Sequence, residues 1–217
     1  MTTAIRVAVT AVVLVGLCLF FAPRLPDADH DGVTRIACLG DSNTQDGWPT
    51  GVETRWCTRA GALASAAGGS HRVTWMNVGA AGATVCDPGL TWPWAQPQLA
   101  SALAQGADVI VAAFGTNDIG VLDRPPAAIV ACYRALAAQV AGGRAFFVAL
   151  TPPLYLPDGR TDVRVDALNT AIRAAFPAEQ LIDFHSGMTR DLYAPDGTHM
   201  NDAGQTERTR RAVAALH

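Results

Sequence analysis

The hydrophobic positions along the chain form short apolar runs that alternate with segments of helical spacing. The predicted strands are residues 33–40, 73–79, 107–114, 144–151 and 180–184. The predicted helices are residues 55–67, 96–105, 125–141, 164–175 and 202–216, the last of them capped by Asn201. Regular strand–helix alternation is typical of α/β proteins, so the pattern predicts a central parallel sheet of about five strands with helices on both faces.

A longer apolar run, residues 7–22, precedes this alternating pattern. It exceeds the usual apolar region of a secretion signal and falls short of the ~20 residues of a membrane-spanning helix. Phe20 and Pro23 disfavour cleavage after Ala22. We therefore expect an uncleaved N-terminal anchor helix, with a cleaved signal as the alternative. Residues 1–32 would then be the anchor or signal and its linker, and residues 33–217 an exported domain.

Composition and charge narrow the functional classes. The 217 residues suit a single domain, and the net charge of −3 with a pI of about 5.9 argues against a strongly basic nucleic-acid-binding protein. All 16 basic residues are arginine, so the chain has no lysine for Schiff-base or serine–lysine catalysis. Composition therefore favours no nucleic-acid partner. The N-terminal segment predicts contact with a membrane, and the domain itself is expected to be monomeric.

The cysteines suit an oxidising compartment. Cys18 lies in the apolar run, and Cys38, Cys57, Cys86 and Cys132 make an even number with three complete pairings. Cys38 sits in an apolar strand and is interpreted as a small core residue, and Cys57–Cys86 is the favoured bridge. No cysteine or histidine spacing typical of a structural zinc site is present, so no metal is expected.

Four polar turns occur at the places where an α/β fold binds its ligands. Ser42 follows the first predicted strand, Gly79 ends the second and Asn117 follows the third, while Asp196 and His199 lie just before the last helix. The carboxyl ends of parallel strands meet at one edge of the sheet, so these turns are expected to converge.

These residue types are those of nucleophilic acyl chemistry. A serine hydroxyl needs a base, which His199 can supply, and Asp196 can fix the tautomer of that imidazole. The N–H groups of Ser42 and Gly79 and the side-chain amide of Asn117 can stabilise an oxyanion.

The four blocks together resemble the signature of the SGNH, or GDSL-type, hydrolases, from about residue 33 to the C-terminus. The resemblance implies a flavodoxin-like three-layer α/β/α fold and ester hydrolysis through an acyl-serine, without metal or organic cofactor. It implies Ser42 as nucleophile and His199 as base, oriented by Asp196. It also implies Gly79 and Asn117, together with the Ser42 N–H, as the oxyanion hole.

The sequence leaves open some alternatives for individual residues and for the function. Asn43 stands where the family often has leucine, which changes no catalytic role. His185 is a weaker candidate for the base, and Trp92 and Trp94 can either line a pocket or pack on the sheet. Acetylated glycans, other short acyl esters and lipid esters all suit the expected serine esterase. Two rival functions are an acyltransferase that uses the same acyl-serine and a non-catalytic binding module.

Overall fold

The computed structural model describes residues 25–47, 54–67, 72–89 and 91–216. Within them the chain forms a five-stranded sheet in the order β2-β1-β3-β4-β5, with every neighbouring pair parallel. The strands are β1 (Val33–Gly40), β2 (Arg72–Asn77), β3 (Val109–Ala113), β4 (Ala145–Ala149) and β5 (Leu181–Ile182). The predicted parallel sheet is confirmed.

Helices connect these strands and close the chain. They are α1 (Trp56–Ala67), α2 (Ala95–Ala104), α3 (Thr116–Gly120), α4 (Pro126–Ala137), α5 (Val163–Ala175) and α6 (Asp202–Leu216). Two 3₁₀ turns, Ala178–Gln180 and Arg190–Leu192, lie between α5 and α6. The predicted cap is also confirmed, because the Gly204 N–H donates to Asn201 Oδ1 at 3.0 Å in the first turn of α6.

Alternate residues of the inner strands point to opposite faces and build two cores. Ala37 and Leu39 of β1 join the cluster packed under α2, α4 and α5, whereas Ile36 and Cys38 join the cluster packed under α1 and α6. A central strand buried on both faces needs such a continuous apolar run. The result is the predicted three-layer α/β/α arrangement.

Besides shifts of element ends, the largest at α4 (Pro126–Ala137, expected over 125–141), the structure differs from the predicted elements at two places. β5 pairs with β4 over two residues only, where a strand over 180–184 was expected, because it is the edge strand and its later residues turn away from the sheet. The short helix α3 was expected as a turn. It begins after Gly115, whose φ of 114° lies in the left-handed region, and a Cβ there would collide with the Thr151 side chain.

The expected Cys57–Cys86 bridge is wrong. Two disulfides form instead, Cys38–Cys57 and Cys86–Cys132, with Cα–Cα distances of 6.2 and 5.3 Å. The reason lies in the layers, since Cys57 belongs to the core on one face of the sheet and Cys86 to the core on the other. Cys38, interpreted as a simple core residue, is fully buried but bonded to α1.

The segment before β1 packs onto the domain where it is described. Leu25 lies against the core under α1 and α6, and the Ala28 N–H donates to Asp108 at 2.8 Å. The predicted N-terminal apolar helix, residues 7–22, lies outside the described residues. Among the helices that are described, none is long and apolar enough to cross a bilayer.

Candidate active site

The turn after β1 presents Ser42 at the carboxyl end of a central strand. Asp41 closes this turn, since its carboxylate accepts the Asn43 N–H at 2.8 Å and its carbonyl accepts the Thr44 N–H at 2.9 Å. Ser42 is 6% exposed. Among the described residues, its backbone N–H donates no hydrogen bond.

The loop before α6 holds its histidine through a local carboxylate. Asp196 Oδ1 accepts the backbone N–H groups of Thr198 and His199, each at 2.9 Å. Its Oδ2 lies 2.7 Å from His199 Nδ1. A carboxylate can only accept, so this contact places the ring proton on Nδ1 and leaves Nε2 as an acceptor.

Ser42, His199 and Asp196 form one hydrogen-bonded chain. Ser42 Oγ lies 2.9 Å from His199 Nε2, although 157 residues separate them. Partial burial alone would raise the pKa of Asp196, but hydrogen bonds from His199 and Thr198 outweigh it and hold the pKa below its usual value. The carboxylate is therefore charged at neutral pH, where it can stabilise a protonated imidazole.

Gly79 lies against the nucleophile turn. A Cβ at this position would come within 2.8 Å of the Gln45 nitrogen and 2.9 Å of the Thr44 Cβ, so only glycine allows this approach. The Gly79 N–H donates to Asn77 Oδ1 at 3.1 Å, and Asn77 Nδ2 donates to the Thr44 carbonyl at 2.6 Å, so Asn77 ties β2 to the nucleophile turn.

Asn117 lies in α3 and joins the loop after β2. One N–H of its side-chain amide donates to the Ala83 carbonyl at 3.0 Å, which leaves the second N–H of that amide for another acceptor. The neighbouring Asp118 holds the same loop by accepting the Val85 and Cys86 N–H groups at 3.0 and 3.4 Å. Burial raises the pKa of Asp118 to about 6.

A buried cation lies beneath the nucleophile turn. Arg208 of α6 is 1% exposed and donates to the Asn43 carbonyl at 2.8 Å, with its guanidinium 4.4 Å from the Phe184 ring centroid. Burial lowers its pKa to about 10, so it keeps its charge at neutral pH. Burial also raises the pKa of Asp41, an effect that the Asn43 N–H and the Arg208 charge oppose. A positive charge therefore offsets a buried acid next to Ser42.

A second buried arginine joins the two active loops, which are the nucleophile turn after β1 with Ser42 and the loop before α6 with His199. Arg55 is fully buried and donates to the Gln45 carbonyl at 3.2 Å and to the Met200 carbonyl at 3.4 Å. Neither Arg55 nor Arg208 was singled out from the sequence. Arg55 lies just before α1, and Arg208 shares the buried face of α6 with the polar residues Gln205 and Thr209, so no local apolar pattern distinguishes either from an exposed arginine.

The other candidates lie outside this chain of contacts. His185 Nε2 is 3.0 Å from Asp166 Oδ1, so the weaker candidate for the base is engaged elsewhere. Trp92 is 36% exposed and its Nε1 donates to the Gly82 carbonyl at 2.6 Å, so it packs its polar edge on the loop after β2.

The comparisons with known proteins identify a family that covers most of the chain. The GDSL-like Lipase/Acylhydrolase family matches residues 38–206. No curated protein sequence matches the chain.

Among solved structures, similar folds occur in several enzymes. A carbohydrate esterase family 3 protein from Talaromyces cellulolyticus is 18% identical with a TM-score of 0.63, covering 84% of this chain and 96% of its own. The lipase/acylhydrolase from Enterococcus faecalis is 19% identical with a TM-score of 0.65, covering 84% and 95%. An acetyl xylan esterase from Geobacillus stearothermophilus is 17% identical with a TM-score of 0.61, covering 84% and 94%. Identities this low establish a shared fold.

Proposed function

Because the chain belongs to the GDSL-like lipase/acylhydrolase family and is an ester-cleaving hydrolase, we propose that it works through an acyl intermediate on Ser42. The observation that carries the proposal is the hydrogen-bonded chain from Ser42 Oγ through His199 to Asp196, with links of 2.9 and 2.7 Å. Such a chain gives a weakly nucleophilic hydroxyl a base, and gives that base a fixed tautomer.

In the first half-reaction, Ser42 Oγ attacks the ester carbonyl carbon while its proton passes to His199 Nε2. The charge of Asp196 stabilises the imidazolium that forms. When the tetrahedral intermediate collapses, the bond to the alcohol oxygen breaks and His199 returns the proton to that oxygen. The alcohol leaves and the acyl group stays on Ser42.

In the second half-reaction, water takes the place of the alcohol. His199 accepts a proton from water as its oxygen attacks the acyl carbon, and then returns a proton to Ser42 Oγ as the ester bond to serine breaks. Carboxylic acid is released and the free enzyme is regenerated. Over the full cycle one ester and one water are consumed, and the side chains return to their starting state.

The oxyanion of both intermediates would be bound by the N–H groups of Ser42 and Gly79 and by the Asn117 side-chain amide. Among the described residues the Ser42 N–H donates no hydrogen bond, and Asn117 commits only one of its two amide protons, to Ala83. The Gly79 N–H would share its proton between Asn77 Oδ1 and the oxyanion. Each donor of this kind typically contributes ~10²–10³ in rate.

We propose acetyl esters of carbohydrates as the substrate class. The support is the fold shared with a carbohydrate esterase family 3 protein and with an acetyl xylan esterase. The lipase/acylhydrolase neighbour makes longer acyl esters the comparison class in any assay. Transfer of the acyl group to an acceptor hydroxyl instead of water would appear as an acylated acceptor among the products.

The experiment follows hydrolysis of p-nitrophenyl esters from acetate to octanoate, and release of acetate from acetylated xylan. Ser42→Ala and His199→Ala should each lower kcat by ~10³-fold or more. His185→Ala is the matched control, since it removes another carboxylate-paired histidine, and it should keep wild-type rates. Wild-type activity in Ser42→Ala would refute the proposed mechanism. A preference for octanoate over acetate would refute the proposed substrate class.

We also propose that the domain is exported. The apolar run at residues 7–22 then either stays as its membrane anchor or is removed as a cleaved signal. The support is the apolar run and the two disulfides, Cys38–Cys57 and Cys86–Cys132, which are typical of oxidising compartments. Fractionation of cells that produce the full chain, with mass spectrometry of its N-terminus, tests this. A soluble cytoplasmic protein with free thiols would contradict it.

A further inference from the structure

Asn43, the residue directly after the nucleophile, reaches across to the loop of the base. It is 1% exposed. Its Nδ2 donates to the Thr198 carbonyl at 3.1 Å, and its Oδ1 accepts the Met200 N–H at 3.0 Å. These two peptide groups flank His199 in the sequence. One side-chain amide therefore holds the base loop on both sides of the imidazole-bearing residue.

The backbone of Asn43 is also fixed by hydrogen bonds, both within its own turn and to α6. Its N–H donates to Asp41 Oδ1 at 2.8 Å. Its carbonyl accepts from Arg208 of α6 at 2.8 Å and from Gln205 Nε2 at 3.3 Å. A side chain anchored at its own backbone in this way can fix the position of what it binds, because it has little freedom to move with the base loop.

The chemistry of the two contacts requires an amide. The Met200 N–H can only donate and the Thr198 carbonyl can only accept, so the side chain must offer one acceptor and one donor at the same distance from the backbone. Leucine would leave both peptide groups unpaired beside a buried turn, and an unpaired buried group is costly. Aspartate would keep the contact with Met200 and turn a second acceptor towards Thr198.

We propose that Asn43 is a positioning residue, which holds the His199 imidazole at hydrogen-bond distance from the Ser42 hydroxyl. The inference rests on the proposed function, since it assigns to Asn43 the alignment of the nucleophile with its base. Apart from the 2.9 Å contact between Ser42 and His199 themselves, Arg55 gives the two loops a further link, at 3.4 Å from the Met200 carbonyl.

The test compares Asn43→Leu and Asn43→Asp with wild type in two assays. The first measures kcat and KM for p-nitrophenyl acetate. The second measures the rate of covalent reaction with diisopropyl fluorophosphate, which reports the reactivity of Ser42 towards a small probe. We expect kcat and the probe rate to fall together by ~10–100-fold, the cost of misplacing a catalytic group by about 1 Å, with KM little changed. Aspartate keeps the side-chain volume, so that variant carries the test if the leucine variant does not fold.

Asn169 provides a matched control in the same chain. It is also 1% exposed, and it makes the same pair of amide contacts, accepting the Thr151 N–H at 2.9 Å and donating to the Thr151 carbonyl at 2.8 Å. Asn169→Leu should lower the denaturation midpoint by an amount comparable with Asn43→Leu and leave kcat within about threefold of wild type, because it touches neither active loop.

Folded Asn43 variants with the kcat and probe rate of wild type would overturn the inference. An equal loss of kcat in Asn169→Leu would also overturn it, because the effect would then be one of stability. Failure of the proposed function looks different. In that case the wild-type enzyme itself would not be labelled on Ser42, whichever residue stands at position 43.

Discussion

Replacing Arg208 with methionine removes the charge beneath the nucleophile turn while keeping an unbranched apolar stem. In the structure the guanidinium donates to the Asn43 carbonyl at 2.8 Å and lies 4.4 and 5.4 Å from the ring centroids of Phe184 and Trp56. Its charge also offsets that of Asp41, which is 2% exposed. Arg208→Met therefore removes a charge-assisted hydrogen bond, two cation–ring contacts and the counter-charge of a buried acid.

The expected loss in the free energy of unfolding can be estimated from these interactions. A hydrogen bond from a charged donor contributes ~1.5–3 kcal/mol and a desolvated cation–ring contact up to ~2 kcal/mol. Against them stands the desolvation cost of the guanidinium, which the variant no longer bears. Removing one member of a buried charge pair costs ~3–5 kcal/mol in total. We expect a loss near the lower end, about 3 kcal/mol, because the guanidinium Nε has no hydrogen-bond partner among the described residues.

The assay is urea denaturation at pH 7 with the disulfides intact, on wild type, Arg208→Met, Asp41→Asn and the double variant. Because Asp41 is left without its counter-charge only in the single arginine variant, the double variant should be more stable than the sum of the singles by ~1–3 kcal/mol. Arg208→Lys, which keeps the charge without the planar fork, should lose less than Arg208→Met. A loss below about 1 kcal/mol in Arg208→Met, or strict additivity with Asp41→Asn, would refute this reasoning.

The other predictions concern the loops around the site. Gly79→Ala should lower kcat/KM for p-nitrophenyl acetate by ~10²-fold, because its Cβ would displace the Thr44 turn; an unchanged rate would contradict the close approach. Burial raises the pKa of Asp118 to about 6, so between about pH 4 and 6 the folded state holds a proton that the unfolded state releases. The free energy of unfolding therefore falls as pH rises through this range, by about 3 kcal/mol in total, and the loss is complete above pH 6. Asp118→Asn should flatten that slope in urea titrations from pH 4 to 7, and an unchanged slope would assign it to other groups. Replacing Cys86 and Cys132 together by serine should cost ~2–4 kcal/mol, measured by the same denaturation, and no change would argue against a bridge between them.

Much of the fold follows from local pattern. Central strands are buried on both faces, so β3 is an unbroken apolar run and β1 contains one at residues 36–39. The polar segments that follow these two strands contain Ser42 and Asn117. Asp196 and His199 lie three residues apart in one loop, a spacing that can be found in the sequence. β5 was overestimated because Phe184, the apolar residue after Ile182, is buried by packing under α1 and α6 and not by strand pairing.

Contacts between residues that are far apart in the sequence have no local signal. The disulfides depend on which face of the sheet each cysteine occupies. Periodicity specifies neither the face on which a helix such as α1 or α4 packs nor the position of Cys86 in its loop. The role of Asn43 depends on Thr198 and Met200, which lie more than 150 residues away. Arg208 occupies a helix position where an arginine is normally solvated. In each case the deciding partner is distant in the chain, so no local pattern signals it.

The most direct test of the central claim is to trap the covalent intermediate. The protein is mixed with p-nitrophenyl acetate, quenched in acid at short times, digested and examined by mass spectrometry. We predict one acetyl group on the peptide that contains Ser42, formed in a burst and absent from Ser42→Ala, with slower formation in His199→Ala and Asp196→Asn. An acetyl group on another residue, or full turnover in Ser42→Ala, would contradict the assignment of Ser42 as the nucleophile.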